Sequence, residues 1–268
     1  MTRCSQRGVP YYGDFGGEMP NWFEANHFLL IMLLMGTTAT AVFLMMLRKL
    51  LRISSIVTIL IAVLFTVTGV ISVRVFARLE GAQAGAMSIY GAVFFIPAIL
   101  LIMAKLTKRS QAMVCDIFTP CTVFTLILAR FNCLKSGCCL GKIINPAAKL
   151  PARWPTREAE IVFYIVLLIV LIPKILSVYE VDRIGRIEVK LKRTSILSGA
   201  FYPIYMMAYG AFRFFIEWFR EGKGRSAFHL SHIWSLLAFG IGLLFFYQLK
   251  VEERIKDKNR KKRQSGKK

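Results

Sequence analysis

Chemistry concentrates first in Tyr209-Gly210-Ala211-Phe212-Arg213-Phe214-Phe215-Ile216-Glu217-Trp218-Phe219-Arg220, where two arginines and a glutamate interrupt an apolar run. At 100° per residue, Tyr202, Met206, Tyr209, Arg213, Glu217 and Arg220 fall within about 80° of arc on a helix. The other faces are Phe, Ile, Met, Ala and Trp. The spacing predicts a single polar seam turned toward protein or a wet cavity. Arg213 and Glu217 are four residues apart and can pair. Two arginines against one glutamate leave a net positive charge, and a guanidinium fork suits a phosphate held through two oxygens. The alternative is a buried ion pair that locks this helix to its neighbours.

A second candidate is Arg130-Phe131-Asn132-Cys133-Leu134-Lys135-Ser136-Gly137-Cys138-Cys139-Leu140-Gly141, an arginine followed by small and polar residues. Three readings compete for it. Cys133, Cys138 and Cys139 could be metal ligands, yet His27, His229 and His232 are remote in sequence. The adjacent pair Cys138-Cys139 also lacks the Cys-x2-4-Cys spacing that zinc favours. They could be reactive or redox thiols. Or the segment is a headgroup-binding loop in which the cysteines are small, partly buried residues. Upstream, Asp116 and Pro120 mark an apolar stretch that is not inert; a helix–helix hydrogen bond is the simpler role for Asp116.

These residues need an unusual scaffold. The chain has 268 residues, 56% hydrophobic and 19% charged, with mean hydropathy +0.53. A soluble domain has roughly 45–50% apolar and about 25% charged residues. The composition excludes a soluble enzyme, a disordered tail and a secreted disulfide module. It predicts an all-α, polytopic membrane helix bundle. Crossing a bilayer takes about 20 mostly apolar residues, and seven runs qualify: Phe28–Leu47, Ile53–Val73, Gly81–Ala104, Ser110–Ala129, Ile161–Tyr179, Thr194–Phe212 and His229–Leu249. The fifth is the least regular, because Pro173-Lys174 cuts its apolar run short.

The net charge of +21 belongs to loops and ends. Lys and Arg in alternate short loops and the tail place 22 of the 36 basic residues on one side. By the positive-inside rule that side is cytoplasmic, with the N-terminus outside and the C-terminus inside. The domain reading is an extracytoplasmic segment 1–27, a seven-helix transmembrane domain 28–249 and a basic tail 250–268 resting on anionic lipid. No cleavable signal peptide is expected, since residues 1–26 have no apolar core. Ten of the 14 outer basic residues cluster in the loop after span four and at the end of span six. Basic residues on a translocated side are tolerated where an anion or a function offsets them.

These motifs together resemble the prolipoprotein diacylglyceryl transferase family over most of the chain. Tyr209-Gly210, Arg213-Phe214, Glu217 and Arg220 match its Tyr-Gly-x-x-Arg-Phe-x-x-Glu-x-x-Arg almost completely, the most specific element. Arg130 and Gly141 match the ends of its signature after helix four, preceded by Asp116 and Pro120. Gly85-Ala86-Met87-Ser88-Ile89-Tyr90-Gly91-Ala92 is similar to its helix-three segment, with Tyr90 at a His/Tyr position. Trp154-Pro155-Thr156 with Glu160 resembles its His-Pro-Ser/Thr segment, and Leu230-Ser231 with Ser235 the start of its last helix. The chain departs at Cys133, Ser136 and Cys138, which stand at the signature's Asn, Asn and Glu, and at Asn26-His27-Phe28-Leu29, where the family's helix-one Tyr has no clear counterpart.

The resemblance implies transfer of the diacylglyceryl group of phosphatidylglycerol to the lipobox cysteine of an exported preprotein. A thioether forms and glycerol-1-phosphate leaves. It implies catalytic roles for Arg130, Arg213, Glu217 and Tyr90, and headgroup binding by Arg130, Gly141, Arg213, Arg220 and Tyr209. Asp116 and Glu160 become structural polar residues, and Cys133, Cys138 and Cys139 possible reactive thiols. No metal or cofactor is called for. The partners are phosphatidylglycerol, the preprotein and anionic lipid at the tail, without nucleic acid. The location is the bacterial plasma membrane, active site outward. The rival classes are a phospholipid-binding membrane protein without catalysis and a related transferase with another acceptor.

Overall fold

The computed structural model describes residues 22–51, 53–81, 88–106, 110–135, 139–144, 153–178, 199–220 and 230–265. They form seven helices: α1 Trp22–Leu51, α2 Ser55–Leu79, α3 Ile89–Leu106, α4 Gln111–Lys135, α5 Thr156–Val178, α6 Phe201–Glu217 and α7 Leu230–Ser265. Among the described residues the only pairing outside helices is two isolated antiparallel bridges, Gly141 with Arg220 and Ile143 with Arg153. Helices are the expected outcome, because lipid leaves no water to satisfy an open backbone. The hydroxyls obey the same constraint: Thr58, Thr66, Ser72, Thr119, Thr122 and Thr125 each donate to the carbonyl four residues earlier.

Five helices contain stretches long and apolar enough to cross a membrane: His27–Arg48, Ser55–Leu79, Gln111–Leu134, Thr156–Val178 and Leu230–Ile255. α3 is apolar but shorter, and α6 has 17 residues. α4 is the central element: it touches α1, α3, α5 and α6. Two-thirds (67%) of its apolar window is buried, against 17–28% in the other four. The outer helices point Leu34, Ile56, Leu60, Val162, Ile169 and Leu244 away from the protein. That inverts a soluble core and suits a hydrocarbon solvent.

The helices differ from the sequence expectation at their ends. α2 runs past Val73 through Arg74 and Arg78, both exposed. α3 begins at Ile89 rather than Gly81, and α6 at Phe201 rather than Thr194. α5 passes through Pro173 and is continuous for 23 residues. α7 continues to Ser265, so most of the basic tail extends the last helix. The N-terminal segment up to residue 21 lies outside the described residues.

Two backbone devices set the position of α6. Asp116, fully buried on α4, accepts from the backbone N–H of Gly199 at 2.5 Å, Phe201 at 2.9 Å and Tyr202 at 3.2 Å. The bonds join α4 to the start of α6, the helix–helix contact expected of Asp116, with backbone N–H groups as the donors. The carboxylate caps the start of α6, where free N–H groups and the helix dipole favour negative charge. On the opposite side, Gly210 lets α6 close on α7: a Cβ there would lie 2.6 Å from the Ser235 carbonyl oxygen.

Candidate active site

The ends of α2, α4 and α6 and the starts of α3, α5 and α7 meet at one end of the bundle. A backbone strap closes the meeting point. The Lys142 N–H donates to the Phe219 carbonyl at 2.8 Å, and Gly141 bridges Arg220. The strap continues through the Trp154 N–H, which donates to the Lys142 carbonyl at 3.0 Å. Gly141 has no room for a side chain, since a Cβ would sit 2.0 Å from the Trp154 carbonyl oxygen. Thr156 Oγ1 donates to the Cys139 carbonyl at 3.2 Å, tying the start of α5 to the same loop. The strap therefore holds the ends of α4 and α6 beside the start of α5.

Five buried charges gather beneath it. Glu160 pairs with Arg130 through Nε and with Arg213 through Nη1 at 2.7 Å. Glu217 pairs with Arg213 Nη2 at 3.0 Å and with Arg220 Nη1 at 3.1 Å. The order in space is Arg130, Glu160, Arg213, Glu217, Arg220. Three guanidiniums face two carboxylates, and all five residues are buried. Buried ion pairs survive only with close geometry and further hydrogen bonds. Here the geometry is close but the donors are not all used. Among the described residues, Arg130 Nη2 and Arg213 Nε are buried without a hydrogen-bond partner. The hydroxyls of Tyr164 and Tyr209 are in the same position. A buried donor without an acceptor is costly, and the cluster carries one guanidinium more than it has carboxylates.

The expectation for the α6 seam is met: Tyr202, Met206, Tyr209, Arg213, Glu217 and Arg220 are all buried. Tyr209 lies among Tyr90, Tyr164 and Tyr205, with ring centroids 6.0–6.5 Å away. Tyr90 presents its ring rather than its oxygen: Arg213 Cζ sits 5.9 Å from the ring centre, while the hydroxyl donates to the Ser231 carbonyl at 2.8 Å. Ser235 Oγ is 3.0 Å from the same hydroxyl. Gly141 serves through its backbone, as part of the strap.

Two of the three cysteines meet on Arg130. Its Nη1 lies 3.9 Å from Cys133 Sγ and 3.9 Å from Cys139 Sγ. Cys138 lies outside the described residues. No group of three His, Cys, Asp or Glu among the described residues is arranged to hold a metal ion. Sequence reasoning gave Glu160 a minor role, and it is the hub. Trp234, whose ring packs on Phe76 and Phe94, and Tyr164 were not singled out at all. A tyrosine at i+4 from Glu160 was the available signal for the second.

The fold and site define an integral membrane protein, a helical bundle with a buried, net-cationic cluster of side chains at one end. A family model, prolipoprotein diacylglyceryl transferase, matches residues 28–248. The chain belongs to that family, whose members are transferases of lipoprotein biosynthesis that act on lipoprotein precursors and a lipid donor. No curated protein is significantly similar to it.

Proposed function

We propose that this protein transfers the diacylglyceryl group of phosphatidylglycerol to the thiol of a lipobox cysteine. The observation that carries the reading is the pair of buried donors, Arg130 Nη2 and Arg213 Nε, in a cluster with one guanidinium in excess. A phosphodiester brings one negative charge and two free oxygens, which match that surplus and those donors.

In the reaction the acceptor sulfur attacks the glyceryl CH2 next to the phosphate. A C–S bond forms, the C–O bond breaks, and glycerol-1-phosphate carries away the electron pair. Its charge grows as the bond lengthens, and fixed guanidiniums in a dry site stabilise such charge strongly. Glu160 and Glu217 hold Arg213 from two sides, so the fork is oriented before the lipid arrives. Arg220 and Tyr209 flank it, and the Tyr90 ring shields it on α3.

The positive-inside arithmetic supports a crevice on the outer face of a bacterial plasma membrane, N-terminus outside and C-terminus in the cytoplasm. The extracytoplasmic segment would then be 1–27, the transferase domain 28–249 and the lipid-contacting tail 250–268.

The test is the full-length protein in phosphatidylglycerol vesicles with a lipobox peptide. Mass gain of one diacylglyceryl group, dependent on phosphatidylglycerol, is expected; saturable lipid binding with no mass gain would replace the reading with lipid binding alone. That second reading draws on Cys133, at the family's signature Asn, which gives Arg130 a sulfur neighbour in place of an amide.

A further inference from the structure

Thiol transfer also needs a proton acceptor, and the residues of the crevice are mostly committed. Tyr90 donates its hydroxyl to the Ser231 carbonyl. Glu160 and Glu217 each pair with two arginines. His232 is buried edge-on against the rings of Phe214 and Trp218.

Two further described carboxylates stand at this end: Glu158 in the first turn of α5, exposed and 3.7 Å from Arg157, and Glu80. Glu80 ends α2, its N–H donating to the Phe76 carbonyl at 3.0 Å. Phe76, one turn earlier, packs on Tyr90 at 6.4 Å and edge-on to Trp234 at 5.2 Å. The Ser88 N–H donates to the Val73 carbonyl at 3.0 Å, which fixes the start of α3 against α2. Glu80 therefore stands over the Tyr90–Trp234 face, half-buried, toward the Ser88 hydroxyl and the Trp234 indole and within electrostatic range of Arg213. No described Lys or Arg forms an ion pair with it. We infer that Glu80 is the proton acceptor for the incoming acceptor thiol, a role that rests on the transfer reading above.

The chemistry agrees. Burial pushes the Glu80 carboxyl above its ordinary range, with hydrogen bonding to Ser88 opposing the shift. A carboxylate made more basic by burial is a better proton acceptor for a thiol than a free surface glutamate. Among the described residues the charged group that acts on it is Arg213 from α6, while Arg78 of its own helix is exposed and Tyr90 and Glu217 face Arg213. α7 offers His232, turned to its aromatic neighbours, and α1 carries only the exposed His27 among its described side chains near that end. In the step, the S–H proton passes to a Glu80 oxygen as the sulfur attacks, the C–S bond forms and the C–O bond breaks. The proton then leaves to water or to the departing phosphate.

The experiment compares wild type, Glu80→Gln and Glu80→Asp, full length in phosphatidylglycerol vesicles. Two lipobox peptides are used, one with the native thiol and one with a selenol that is already ionised near neutral pH. Glu80→Gln should lower kcat with the thiol peptide by about 10²–10⁴-fold, the usual worth of a positioned base. It should flatten the acid limb of the pH profile and leave the selenol peptide close to its wild-type rate. Glu80→Asp should retain part of the thiol activity. Equal losses with both peptides, or a Glu80→Gln rate near wild type on the thiol, would overturn the role while leaving the transfer reading intact. Absence of product from wild type with either peptide would refute the transfer reading, and Glu80's role with it.

Discussion

Arg213 Nη1 lies 2.7 Å from Glu160 Oε1, across 53 residues of chain and two helices. The contact makes Glu160 the shared counter-ion of Arg130 and Arg213 and converts two separate motifs into one site. Removing it should leave the buried Arg130 without its carboxylate and Arg213 with Glu217 alone. Glu160→Ala is expected to cost about 3–5 kcal/mol, the range for breaking a buried pair from one side. Thermal unfolding in detergent measures this, and a variant as stable as wild type would contradict the shared pairing.

Arg213→Lys keeps the charge but loses the fork that contacts Glu160 and Glu217 together. Transfer should fall by roughly 10²–10³-fold, the scale for losing one preorganised donor to a developing oxyanion. Arg130→Ala should fall at least as far while the bundle stays folded. Retained activity in both would end the idea of an arginine clamp on phosphate.

Asp116→Ala strands three N–H groups at the start of α6. A lost N-cap costs about 0.5–2 kcal/mol, and burial should place this one at the top of that range or beyond it. Asp116→Asn keeps one acceptor oxygen and should recover part of the loss. Cysteine trapping between α4 and α6 would report a loosened α6 directly.

Gly141→Val should open the strap, because a Cβ collides with the Trp154 backbone. The expected result is weaker lipid binding together with slower transfer, measured as a rise in KM for phosphatidylglycerol alongside a lower kcat. Unchanged kinetics would mean that the strap has no part in positioning Arg220.

The sulfurs of Cys133 and Cys139 share one nitrogen of Arg130. Replacing Cys133, Cys138 and Cys139 together by Ser should retain transfer, since Ser preserves size and a polar contact to Arg130. Loss of activity in that variant, regained on restoring one cysteine, would assign a reactive thiol.

The helical membrane scaffold was legible because lipid permits little else, and the α6 seam because its spacing is local. Arg213 and Glu217 are four residues apart on one helix, so periodicity alone predicts their pairing. Glu160 was read as a minor polar residue because its partners come from α4 and α6, and no local pattern reports a contact between helices. Asp116 was legible as a helix–helix contact, but its donors were not: they are backbone N–H groups, which every residue carries and no sequence motif marks. Helix ends were the least legible. α7 runs on into the basic tail, where hydropathy falls but helix propensity does not.

α6 has 17 residues and so spans roughly 25 Å, a few ångströms less than a typical hydrocarbon core. A short, clamped element asks the surrounding leaflet to thin rather than the helix to stretch. A lipid arriving beside Arg213 would meet a dimple in the membrane, its phosphate drawn below the level of its neighbours.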